Sequence, residues 1–305
     1  MHYSDLRVLI TGNSLSPCPS SPAAAENRYT FRMALYDSLA PLYDRLFPVN
    51  PKTLDFLDEL AAARPDSAER RSLLDVGSAT GGHVLAMARR GWRATGMEPS
   101  ALMVRLAEAA GARLGAAAPR FILGAMPDQA AAVGGEGFDL VLCLGNTLPH
   151  LAGTEARARF FAAAHPLLAP GGSLVLQLLN YGRPGSGPGL AFPELRAGSF
   201  AMRRRYEAEA SAPASAQASA PALRFVVELW NDDSGRVAEE STMLAPIEPP
   251  RLREELAAAG FVLRGAFGDW DGRAFSESED QYLIVVAALG RDGARAEAVR
   301  AAPGG

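Results

Sequence analysis

Cysteine is almost absent from this 305-residue chain: Cys18 sits in a Ser/Pro-rich stretch and Cys143 inside an apolar run. Two such residues make no disulfide framework, and they suit a reducing compartment. Four histidines and two cysteines without ligand spacing predict no metal site. No run of 18 apolar residues occurs, and near the N-terminus only Val8-Leu9-Ile10 follow Asp5, too short for a signal peptide. A cytoplasmic protein without a membrane partner is expected. Basic excess is also lacking: the net charge is -4 and the isoelectric point about 5.7, which argues against a nucleic-acid partner. Lys52 is the only lysine, so arginine carries nearly all the positive charge, and local arginine clusters mean correspondingly little.

What is present is an ordinary globular composition, 48% apolar and 21% charged. Residues 1–32 read as a disordered head, because the segment NSLSPCPSSPAAAEN has no apolar period to offset its ordering entropy. Met33 precedes the first amphipathic segment, so that head reads as an upstream extension. From Asn50 the punctuation becomes regular. Asn50 and Pro51 open a helix to about 63, and strands over 72–76 and 93–97 alternate with helices ending near Gly91 and Gly111. Strands over 121–123 and 138–144, a helix over 154–168, a turn at Pro170-Gly171-Gly172 and a strand over 173–179 continue the rhythm. Runs such as LVLCL lack strict alternation, as strands buried on both faces do.

The expected fold class is therefore α/β: a Rossmann-like, doubly wound, mostly parallel seven-stranded sheet. Its core spans 33–182. Residues 183–248 break the pattern with alternating strands at 200–207, 224–230 and 237–244, a small antiparallel β insertion or lid after the fifth strand. A helix from Pro249 and strands over 261–267 and 281–289 complete the core, and 290–305 read as a flexible tail.

The most informative stretch is Leu73-Leu74-Asp75-Val76-Gly77-Ser78-Ala79-Thr80-Gly81-Gly82. A buried strand ends in Asp75 and turns on Gly77, which lets backbone approach a ligand at the carboxyl end of the sheet. The pattern is D-x-G-x-x-x-G, not the dinucleotide G-x-G-x-x-G. Asp75 would repel phosphate but suit a cationic amino-acid group. About 20 residues on, Glu98 ends the next strand, the position that bonds ribose hydroxyls in nucleoside-binding α/β folds. Together they favour an adenosine-bearing cofactor without phosphate.

Five segments, LLDVGSATGG, GMEPSALM, GAMP at 124–127, FDLVLCLGNTLPHL and PGGSLVLQLLNY, resemble class I S-adenosylmethionine-dependent methyltransferases. The resemblance implies methyl transfer from S-adenosylmethionine, with S-adenosylhomocysteine as product. It implies that Asp75, Gly77 and Ala79 cradle the methionine part, Glu98 holds the ribose, Ala125 and Met126 flank the adenine, and Leu144 with Asn146 line the methyl face. The run from Cys143 to Leu151 and the pair Asn180-Tyr181 look like the glycine N-methyltransferase branch. That branch has an arginine before the Asn-Tyr pair, where this chain has Leu179, which speaks against glycine as substrate. The polar residue expected at the adenine turn is also missing at Ala125-Met126.

Methyl transfer proceeds by in-line displacement and needs a base only when the nucleophile arrives protonated. His150 and Tyr181 are the candidate catalytic residues. For His150 the competing reading is a loop histidine bonded to backbone. Tyr36 and Tyr43 are candidates to cover the cofactor, against a role as helix core residues. His83 reads as a cap or surface residue, and Arg203-Arg204-Arg205 as a solvated strand face. Trp230 and Trp270 read as packing residues. The expected acceptor is a small molecule, methylated at N or O; a nicotinamide-dependent oxidoreductase and a binding protein without turnover are the alternatives.

Overall fold

The computed structural model describes residues 36–63, 71–134 apart from 127 and 129, 137–209 and 221–290. The expected head, most of the Ala/Ser/Pro stretch at 208–222 and the tail beyond 290 lie outside them.

Seven strands form one sheet in the order β10-β11-β5-β4-β1-β2-β3. These are β1 (Ser72–Val76), β2 (Arg93–Glu98), β3 (Arg120–Leu123), β4 (Phe138–Cys143), β5 (Leu168–Leu179), β10 (Phe261–Phe267) and β11 (Tyr282–Leu289). Only β11 runs against its neighbours, pairing antiparallel with β5 and β10. The doubly wound, mostly parallel sheet expected from the sequence is thus present.

The apolar strand runs have a direct reading in the packing. All five residues of β1 are buried, and the pleat sends Leu74 and Val76 to one face and Leu73 to the other. On the first face they join Val141, Leu174 and Leu176 under Phe160 and Phe161. On the second, Leu73, Leu140, Leu142 and Val175 pack under Leu57, Val84 and Met87. Each such side chain contributes roughly 1.5–3 kcal/mol relative to exposure.

The helices follow their caps. In α1 (Pro51–Ala62) the Asn50 side chain accepts from the Lys52 amide, and Pro51 takes the first turn. Helix α2 (Gly82–Arg89) starts at Gly81, and α3 (Ala101–Gly111) is capped by Ser100. Helices α4 (Gly153–Ala164) and α5 (Pro249–Ala258) are joined by a buried pair, in which Arg157 donates through Nε and a terminal nitrogen, each at 2.6 Å, to Glu255.

Two expectations fail locally. Pro170-Gly171-Gly172 is no free turn: β5 begins at Leu168, pairs there with Phe138, and carries the Pro-Gly-Gly run inside it across a register shift. A Cβ on Gly172 would lie 2.7 Å from the Phe138 carbonyl, so the bulge presses backbone on backbone. The preceding helix accordingly stops at Ala164, and a 3-10 turn over His165–Leu167 makes the link.

The insertion is a four-stranded antiparallel sheet of β6 (Leu195–Ala197), β7 (Phe200–Ala208), β8 (Leu223–Asn231) and β9 (Gly235–Leu244). Strand β6, hidden in a stretch read as loop, pairs with β7 through a tight turn at Gly198, whose φ is +66°. Packing of Met202, Val227 and Leu229 against Leu39, Leu42 and Leu46 ties this sheet to the helical segment around 36–46.

Candidate active site

The carboxyl ends of β1, β2 and β4 open into one cavity of about 620 Å³, walled on its far side by the 36–48 segment and the insertion sheet. In open α/β sheets this is where ligands bind. Tyr36, Tyr43, Asp75, Gly77, Ala79, Glu98, Ala125, Met126, Leu144, Asn146 and His150 all line it.

The β1 loop is shaped by left-handed backbone at Gly77 (φ +78°), Ala79 (φ +49°) and Gly81 (φ +80°). At Gly77 glycine is required twice over, since a Cβ would also meet the Thr147 methyl at 2.7 Å. Ala79 occupies a conformation that L-residues avoid. Its amide donates to Glu98 Oε2 at 2.9 Å, while the Ser100 amide donates to Oε1 at 2.9 Å. Glu98 therefore fastens two loops together at the site, and each oxygen keeps a lone pair for a further donor.

Two carboxylates share this end. Asp75 is 2% exposed and its Oδ1 has no hydrogen-bond partner. Burial and then the nearby Glu98 push its pKa up to about 7. Burial likewise pushes Glu98 up to about 7, against the lowering effect of the Ser100 and Ala79 amides. An unsatisfied buried acceptor beside a second acid is a site for a cationic donor.

Across the cavity, Tyr36 Oη lies 2.9 Å from His150 Nε2 and the rings meet edge to face at 5.7 Å. Burial, with Tyr43, Glu98 and Tyr206 nearby, raises the Tyr36 pKa, so its hydroxyl stays protonated at neutral pH. The 36–48 segment is held over the loops after β1 and β2 by its own acids: Asp44 accepts from Thr80 Oγ1 at 2.5 Å, and Asp37 accepts from Ser100 Oγ. Neither acid stands out in the sequence, because single acids in an amphipathic helix look like solvated face residues.

Tyr181 takes a different place from the one expected of a catalytic residue. It is not among the cavity-lining residues; its hydroxyl lies 2.9 Å from Asn146 Nδ2 and 3.2 Å from Tyr206 Oη. Asn146 has φ +62°, and its Oδ1 also accepts from the Leu179 amide at 3.0 Å. Tyr181 thus braces Asn146, which itself lines the cavity. Its neighbour Asn180 is wholly buried and donates to the carbonyls of Glu277 and Asp280, tying the end of β5 to that loop.

Two more readings change. His83 lies in the cavity wall, where burial lowers its pKa to about 4 and keeps it neutral, while the helix cap is Gly81. The Arg203-Arg204-Arg205 run is not one solvated face. The pleat of β7 places Met202, Arg204 and Tyr206 in the cavity wall. Arg203 and Arg205 pair instead with Glu194, and with Glu207 and Glu228.

The sheet order, with β11 antiparallel between β5 and β10, is that of a Rossmann-like methyltransferase fold. Residues 73–172 match the family model of the methyltransferase domain. The chain is similar to the CcbJ methyltransferase of Streptomyces caelestis, with 22% identity and a TM-score of 0.66 over 83% of this chain and 96% of that one. It is also similar to an S-adenosylmethionine-dependent methyltransferase of Clostridium acetobutylicum, with 15% identity and a TM-score of 0.67 over 84% and 99%. CalS10, an amino pentose methyltransferase of Micromonospora echinaspora, is 21% identical with a TM-score of 0.56 over 90% and 99%. No curated protein matches the chain.

Proposed function

We propose that this protein methylates a nitrogen or oxygen of a small-molecule acceptor, in the cytoplasm, with His150 and Tyr36 facing the acceptor. The observation that carries the proposal is the Tyr36–His150 hydrogen bond inside the cavity that also holds Asp75 and Glu98. CalS10, described as an amino pentose methyltransferase, makes an amine a natural first choice of nucleophile.

The residues fit the cofactor. Asp75, with its orphaned Oδ1, suits the ammonium of the methionine part, and Gly77 leaves backbone bare beside it. Glu98 suits the ribose hydroxyls, and the apolar Met126 and Ala125 suit an adenine face. S-adenosylmethionine supplies a methyl group on a cationic sulfur, which the surrounding carboxylates favour electrostatically. The 36–48 segment and the insertion exclude water from the reacting end, and Asn146, braced by Tyr181, fixes the wall of the methyl face. His150 accepts the proton that an amine or hydroxyl sheds as it is alkylated, and Tyr36 orients its ring through the 2.9 Å bond.

The test is to incubate the purified protein with S-adenosylmethionine and panels of amines, amino sugars, phenols and acids, and to follow S-adenosylhomocysteine by mass spectrometry. Acceptor-dependent product supports the proposal. Cofactor bound tightly but never turned over across the panels favours a binding protein without turnover.

A further inference from the structure

Charge in the cavity is divided between its two ends. Asp75 and Glu98 close the strand-end wall, with Asp44 on the segment above. Among the described residues that line it, the only lysine or arginine is Arg204, on the insertion sheet.

Arg204 is held in a specific way. Its guanidinium carbon lies 5.1 Å from the Phe192 ring centroid and 5.6 Å from that of Phe47, so aromatic rings restrict its orientation. One terminal nitrogen donates to the Pro193 carbonyl at 3.2 Å. Its Nε is buried without a hydrogen-bond partner. Among the described residues no carboxylate pairs with it, whereas its neighbours Arg203 and Arg205 both have acids. Burial pulls its pKa below the ordinary value, against the raising effect of Tyr282 and Tyr206.

A partly buried arginine with an unmet donor and no counter-charge costs stability. Such a cost in a cavity wall is relieved when a ligand brings the missing acceptor. The planar guanidinium matches carboxylate and phosphate oxygens in pairs. The alternation of β7 sets Tyr206 one pleat repeat further along the same face, and Tyr206 Oη reaches Asn146 Nδ2 at 3.4 Å. An acceptor bound to Arg204 therefore lies along the wall that leads to the methyl face.

We infer that Arg204 anchors an oxyanion group of the methyl acceptor, so that the substrate is an acidic small molecule bearing a carboxylate or a phosphate. This inference rests on the methyltransferase reading above and deepens it.

The experiment uses the full chain saturated with S-adenosylhomocysteine and measures thermal unfolding with inorganic phosphate, acetate or chloride at equal ionic strength. Phosphate or acetate is expected to raise the melting temperature of the native protein above the chloride value. The more effective of the two identifies the acidic group. Arg204→Met keeps the aliphatic packing and should abolish the response, and Arg204→Lys should keep part of it. Equal responses in the native protein and Arg204→Met, or none in the native protein, overturn the inference.

Calorimetry with S-adenosylhomocysteine separates the two readings. Loss of that ligand by the native protein defeats the cofactor assignment, whereas unchanged affinity without any anion response defeats only the role of Arg204. If Arg204→Met fails to fold, the comparison moves to kinetics with Arg204→Lys on an acid acceptor and its neutral amide or dephosphorylated analogue. A KM rise of tenfold or more for the acid alone, with kcat held, supports the anchor. A parallel rise for both shows a packing role.

Discussion

Tyr36 and His150, 114 positions apart in the chain, share a hydrogen bond of 2.9 Å across the cavity. The bond joins the segment that covers the site to the loop after β4. His150→Asn should lower kcat by about 10²-fold or more if the histidine takes the proton, within the usual range for general bases. Tyr36→Phe should lower it less. Steady-state kinetics with unchanged S-adenosylhomocysteine affinity checks this, and a loss confined to KM would assign the pair to binding alone.

Asp75 and Glu98 give the site a pH dependence whose sign follows from their raised pKa values of about 7. In the free protein each acid is ionised only as the pH rises through about 7, and the ionised form attracts a cationic ligand. Affinity for S-adenosylhomocysteine should climb from pH 5.5 to about 7.5 and then level off, with protons released on binding. For stability the sign is opposite. An acid whose folded pKa exceeds its unfolded one of ~4 binds more protons when folded, so the ligand-free protein loses stability between about pH 4 and 7. Calorimetry in two buffers of different ionisation enthalpy measures the proton release, and Asp75→Asn should reduce it.

Glu98 holds the Ala79 and Ser100 amides, and the proposed function gives it the ribose as well. Glu98→Ala removes the bonds to the Ala79 and Ser100 amides together with the proposed ribose acceptor. It should weaken cofactor binding by ~1.5–3 kcal/mol, as loss of charged hydrogen bonds does. Glu98→Gln keeps one carbonyl acceptor and should fall between. Unchanged affinity in Glu98→Ala would remove the residue from the site.

Gly77→Ala confronts both a positive φ and the Thr147 side chain. A cost of about 1–3 kcal/mol is expected from the strain alone, seen as a melting temperature several degrees lower. Gly145→Ala, whose Cβ would meet nothing within 4 Å though φ is +66°, should cost less.

Much of the sheet was legible because its signals are local. The buried run Leu73-Leu74 into Asp75 and Gly77 reads as a strand, a turn and an acid at the strand tip, and Glu98 follows one βα unit later. Arg204 was not legible. Alternation along 200–207 separates two faces without saying which one meets a cavity, and the adjoining Arg203 and Arg205 do lie on an ion-paired outer face. The partner of His150 was hidden for a different reason, since Tyr36 is brought to it by long-range contacts, the packing of the insertion against Leu39 and Leu42 and the bonds of Asp37 and Asp44. The Pro-Gly-Gly run misled because a bulge inside a strand uses the same residues as a turn.

Calorimetric titration of the cofactor-stripped protein with S-adenosylmethionine and S-adenosylhomocysteine, with NAD as control, tests the reading of Asp75 and Glu98 most directly. Micromolar binding of the two adenosyl ligands and none of NAD is the predicted result. Binding of NAD without either adenosyl ligand would contradict it.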